Sequence, residues 1–118
     1  MSTPWPTELR VLDSGRLLRV GFEDSASFDL PAELLRVESP SAEVQGHGGD
    51  KIIVGGKRQV AIGDIEAVGN YAVRILFDDG HDTGLYTWAY LYELGERRNQ
   101  IWSTYLRALE QQGLNRDP

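Results

Sequence analysis

The strongest constraint on this chain is a change of apolar period partway along it. Up to Tyr86, outside a short stretch after Pro31, apolar residues fall in short extended runs broken by Gly, Asp and Asn; in the last segment, Ile101 to Leu109, they recur at three- and four-residue intervals. Glu8-Leu9-Arg10-Val11-Leu12 alternates, Asp13-Ser14-Gly15 supplies a turn, and Arg16 to Phe22 returns as a second strand. Glu23-Asp24-Ser25 is a further turn, followed by the short extended piece Ser27-Phe28-Asp29-Leu30. Pro31 suits the first position of a helix, where a missing N–H costs nothing, so Ala32 to Val37 forms a short helix. Pro40 stops it by driving Ser39 out of the helical region.

Ser41 to Lys57 contains Gly46, Gly48, Gly49, Gly55 and Gly56 and reads as a loop around Ile52-Ile53-Val54. Extended structure resumes in Gln59 to Ile62 and Asp64 to Val68, and Gly69-Asn70 turns the chain. Tyr71 to Phe77 is the clearest strand; Asp79-Gly80 is a tight-turn pair, with His81 to Tyr86 returning as its partner strand. Thr87 can cap a helix over Trp88 to Leu94, for which Gly95 is a natural stop. A last helix runs from Glu96 to Gln112, with Ile101, Trp102, Tyr105, Leu106 and Leu109 on one stripe, and Gly113 ends it. Strands that precede the long helices, rather than alternating with them, predict an α+β domain: an antiparallel β-sheet, one short early helix and two C-terminal helices.

The 118 residues suit one domain, 1–118, with an ordered core over about 9–110 and frayed ends. The absence of cysteine excludes disulfides, thiolate nucleophiles and cysteine-bound zinc or iron–sulfur clusters. A net charge of −6 argues against nucleic acid and anionic membranes as partners. No run approaches the ~20 apolar residues that span a bilayer, and Met1 to Thr7 has no signal-peptide pattern, so a cytoplasmic location is expected.

Three stretches are distinctive: Leu35-Arg36-Val37-Glu38-Ser39-Pro40-Ser41-Ala42-Glu43-Val44-Gln45-Gly46-His47, Val68 to Arg74, and Phe77-Asp78-Asp79-Gly80-His81-Asp82-Thr83-Gly84-Leu85-Tyr86-Thr87-Trp88-Ala89-Tyr90-Leu91. In this order they resemble the gamma-butyrobetaine hydroxylase-like N-terminal domain, over nearly the whole chain from Leu9 to Tyr105. The resemblance implies a domain that precedes the catalytic jelly-roll of iron- and 2-oxoglutarate-dependent dioxygenases, stands alone in bacteria, or is joined to iron–sulfur carrier ATPases. It also implies, in the dioxygenases, a structural zinc held by three cysteines and one histidine. Here Ser39, Ser41 and Val44 occupy the cysteine positions and His81 keeps the histidine. The dioxygenase iron site belongs to a later domain, so oxygenase activity is not carried over.

His81 is the first candidate ligand. With His47, Asp82 and the neighbouring aspartates it offers a donor set suited to zinc or iron, although His47 and His81 are 34 positions apart. The alternative is a plain turn followed by a partly exposed strand histidine. Gly55-Gly56-Lys57-Arg58 lacks the hydroxyl residue and the following helix of a phosphate loop, so turn glycines explain it. The helix at Trp88 is apolar on every side, which means either enclosure or a face kept for a partner; Trp88, Tyr92, Tyr90, Tyr86 and Tyr71 make the candidate partner surface. Neither histidine lies in a nucleophile motif. The expectation is therefore a non-catalytic protein-interaction or adaptor module with a protein partner and no cofactor, linked through the resemblance to iron–sulfur or iron-dependent metabolism. The alternative is a small zinc- or iron-binding protein.

Overall fold

Alternation in the first segment produces a meander. In the computed structural model, which describes residues 3–45 and 51–118, β1 (Pro6–Leu12), β2 (Leu17–Phe22) and β3 (Ser27–Pro31) form a three-stranded antiparallel sheet in that order. Leu18, Val20 and Phe22 alternate onto the buried face of the central strand. Gly15, at φ +88°, lets the β1–β2 turn approach the second sheet; a Cβ there would lie 2.5 Å from the Ile62 carbonyl oxygen.

A second antiparallel sheet holds β4 (Ile62–Val68), β5 (Ala72–Phe77) and β6 (Leu85–Thr87). The expected α+β layout of antiparallel strands, one short early helix and two C-terminal helices holds, with the strands divided between two small sheets. Their buried faces meet in one core with α1 (Ala32–Val37) and α3 (Trp88–Glu96), uniting Leu18, Val20 and Leu30 with Leu34, Ile75 and Leu91. A smaller cluster of Val37, Tyr105 and Leu109 joins α1 to α4 (Arg98–Gln111). A one-turn helix, α2 (Ala42–Gln45), lies in the segment expected to be loop throughout. No helix among the described residues is long and apolar enough to cross a membrane.

Four expectations are corrected. Gln59 to Ala61 is not strand: Ala61 exchanges hydrogen bonds with Asp78, donating to Oδ1 at 3.1 Å and accepting the Asp78 N–H at 2.9 Å. His81 to Gly84 is not strand either, and β6 pairs only with Ala72–Arg74, because His81 is drawn inward to partners distant in sequence. Gly95 does not stop α3. The helix runs on to Glu96, and a Cβ at Gly95 would sit 2.2 Å from the Phe28 ring, so this glycine serves close packing between α3 and β3. Leu106 leaves the buried stripe of α4 and is exposed, whereas Tyr105 and Leu109 are buried.

The C-terminal residues, expected to fray, make contacts with the rest of the domain. The Gly56 and Arg58 N–H groups donate to the carbonyls of Asn115 and Arg116, both at 2.9 Å. Arg116 grips both carboxylate oxygens of buried Glu33 at 2.8 and 2.7 Å while lying 5.1 Å from the Trp102 ring centroid. The terminal segment is thereby a strap across α1 and the 55–58 turn.

Candidate functional site

The cap of α3 places the largest aromatic surface. Thr87 Oγ1 accepts the Tyr90 N–H at 3.2 Å, as the sequence predicts, and fixes the first turn of the helix. Trp88 Nε1 then donates to the Asn70 carbonyl at 3.0 Å, which brings its ring beside exposed Tyr71. From the other side, the Glu23 N–H donates to the Trp5 carbonyl at 2.9 Å, extending β1–β2 pairing past a bulge at Pro6/Glu8 and delivering Trp5. Trp5, Tyr71, Trp88 and Glu23 line a cleft of about 500 Å³. Trp5 and Tyr71 are 54% and 52% exposed, which is unusual for such large side chains.

A second cleft of about 460 Å³ adjoins it, sharing Thr3, Pro4 and Ala89 and lined by Asp24, Tyr92, Glu93 and Glu96. Both are lined by acids and by no lysine or arginine among the described residues. Glu93 carries an exposed ion pair with Arg97 at 3.0 Å. Asp24 accepts the Tyr92 hydroxyl; that bond holds the Asp24 carboxyl below its usual range and pushes the Tyr92 hydroxyl up to about 12.

The predicted aromatic surface is therefore only partly a surface. Tyr71 is exposed and Trp88 half-buried at the cleft. Tyr92 is half-buried, edge-on to Phe22 and Phe28 at centroid distances of 4.9 and 5.3 Å. Tyr90 is tied by its hydroxyl to the Glu38 carbonyl, and burial pushes that hydroxyl's pKa up. Tyr86 is corrected outright: it is fully buried and donates to the Leu35 carbonyl, with its pKa raised by desolvation. Trp5 escapes sequence reasoning, because it reads as part of a proline-bracketed terminus.

His81 is buried rather than partly exposed. Its Nε2 lies 2.9 Å from Ser39 Oγ and 3.4 Å from Ser41 Oγ, and both serines are buried. Val44, on α2, is buried as well. The nearby carboxylates face other groups. Asp79 accepts Arg36 Nε at 2.8 Å, Lys57 Nζ at 2.6 Å and the His81 N–H at 3.1 Å. Partial burial raises the Asp79 carboxyl, but these three hydrogen bonds outweigh it and hold its pKa at about 2. Asp82 is exposed, and His47 lies outside the described residues. Among the described residues no three His, Asp or Glu side chains form a cluster able to hold a metal ion. At the positions implied for zinc, two neutral hydroxyls, a hydrocarbon and one imidazole replace three thiolates and an imidazole, a donor set that does not fit the ion. Lys57 serves Asp79 rather than a phosphate, consistent with turn glycines at 55 and 56.

Comparison with known proteins agrees with this architecture. The family model described as gamma-butyrobetaine hydroxylase-like, N-terminal, matches residues 9–92. Two NMR solution structures are similar, one at 45% identity and TM-score 0.86, covering 99% of this chain and 93% of that one. The other has 46% identity and TM-score 0.85, covering 98% and 87%. A crystal structure of a protein of unknown function of the DUF971 family from Acidithiobacillus ferrooxidans ATCC 23270 shares 40% identity at TM-score 0.67, covering 80% of this chain and 98% of that one. No curated protein matches. The chain belongs to the gamma-butyrobetaine hydroxylase-like N-terminal domain family.

Proposed function

We propose that this chain is a non-catalytic docking module that takes a segment of a partner protein bearing lysine or arginine beside an apolar anchor. The reading rests on one observation: Trp5 and Tyr71, more than half exposed, stand with Trp88 over a cleft whose charged lining is acidic. Large, stiff aromatics are favoured interface anchors, and burying them against a partner recovers the free energy lost in exposing them. Glu23, Asp24 and Glu96 supply a field that attracts cations, in keeping with the net charge of −6. A catalytic role has little support. Ser39 and His81 stand at the spacing of a nucleophile and its base, but Ser39 is fully buried and Gly84 closes over it.

Selection from a random displayed-peptide library tests this. Sequences combining basic and aromatic or aliphatic residues are expected, with affinity falling as salt rises. Trp5→Ala with Tyr71→Ala should weaken the selected peptides by about 30-fold or more, as loss of central anchors does. Acidic selected sequences, or affinities indifferent to the double substitution, would overturn the proposal.

A further inference from the structure

The Ser39, Ser41 and His81 cluster lies apart from the docking cleft and has its own logic. Two segments meet there: the turn after α1, which carries both serines, and the loop after β5, which carries His81. Ser39 Oγ is 3.3 Å from Ser41 Oγ and accepts the Ser41 N–H at 3.4 Å, and the Ser39 carbonyl accepts Gln45 Nε2 at 2.9 Å. A Cβ at Gly84 would sit 2.4 Å from Ser39 Oγ, so the loop after β5 is pressed directly onto the serine.

We infer that these hydrogen bonds perform the cross-linking that a zinc ion performs at the equivalent positions of the resembled dioxygenase domains, so that this chain folds without a metal. The geometry carries the point. Two oxygen or nitrogen ligands on one tetrahedral zinc stand about 3.3–3.6 Å apart, given bonds of about 2.0–2.2 Å; Ser39 Oγ and His81 Nε2, at 2.9 Å, are closer than that and are direct hydrogen-bond partners, with Ser41 Oγ at 3.3 and 3.4 Å from the two. The hydroxyl donates to the imidazole, or accepts from it, according to the ring tautomer; either way the two buried polar atoms satisfy each other. Two hydroxyls and the buried apolar side chain of Val44 thus stand, beside the His81 imidazole, where the resemblance implies three thiolates on a zinc ion.

The test uses the untagged 118-residue chain grown with added zinc. Inductively coupled plasma mass spectrometry should find less than a tenth of an equivalent of any transition metal. EDTA should leave Tm unchanged, and His81→Ala should lower Tm equally with and without EDTA. Ser39→Cys with Ser41→Cys and Val44→Cys should confer a binding site, read as the intense d–d absorption of one equivalent of tetrahedral Co²⁺ and lost when His81→Ala is added. A folded triple variant that takes no cobalt would refute the inference, as would wild-type protein holding an equivalent of metal whose removal lowers Tm. Should the triple variant not fold, the metal content and EDTA response of the wild type decide between the same two outcomes.

Discussion

Replacing Gly95 by alanine separates two physical accounts of one residue. If this glycine were only an unhindered residue inside α3, alanine would stabilise the protein by up to about 1 kcal/mol through helix propensity. The structure sets a larger opposing cost. The new methyl group would meet three carbons of the Phe28 ring at 2.2–2.5 Å. That ring has little freedom to give way, being packed edge-on between Phe22 at 6.1 Å and Tyr92 at 5.3 Å. Overpacking of this kind costs about 1–3 kcal/mol, and the close approach to the base of the ring favours the upper half of that range. Subtracting the propensity gain leaves a net loss of about 1–2 kcal/mol, or a fall in Tm of about 4–8 °C for a domain of this size. Urea titration followed by far-UV circular dichroism measures it, with Phe28→Ala as the second arm of a double-mutant cycle. In the Phe28→Ala background the clash is gone, so Gly95→Ala should become neutral or stabilising. A rise in Tm in the wild-type background, or a coupling energy near zero, would refute the packing account.

Two further outcomes follow from the ion pairs. The Asp79 carboxyl is held at about 2 against an ordinary 3.8, so its contribution is complete at neutral pH and disappears as pH falls through that interval. After allowance for solvent screening it is about 1 kcal/mol, and Asp79→Asn should flatten the acid limb of a pH–Tm profile by that amount; an unchanged limb contradicts the assignment. Arg116→Ala leaves buried Glu33 without its bidentate partner and should cost about 2 kcal/mol, read as a shift in urea midpoint at constant slope. A shift within error would mean the strap adds no stability.

What the sequence reveals and what it hides divide along contact range. The β1–β2 hairpin, the α1 start at Pro31, the Thr87 cap and the α4 stop at Gly113 (φ +67°) are written in neighbouring residues, and each stands where the local pattern puts it. Gly95 misleads because a helix-stopping glycine and a glycine under a ring look alike until Phe28, far away in sequence, is known to lie above it. His81 misleads for the same reason. Alternation favours a strand, but its pairing with Ser39, 42 positions away, wins over the ladder. The family resemblance does better there than periodicity, since its cysteine and histidine positions fall on Ser39, Ser41 and His81, three side chains that meet in the fold. Trp5 is hidden by its position between Pro4 and Pro6, a context that reads as a terminus and gives no sign that Glu23 will anchor it.

The placement of Thr3 and Pro4 on the walls of both clefts has a practical corollary. On the docking mode proposed above, a fusion at the amino terminus is tethered to the cleft walls through Thr3, so a leading affinity tag should compete with an incoming segment at high local concentration. Joining the tag after Pro118 shifts the disturbance to the 55–58 turn, beside which that end lies. Binding measured in the two formats should therefore differ for reasons of geometry alone.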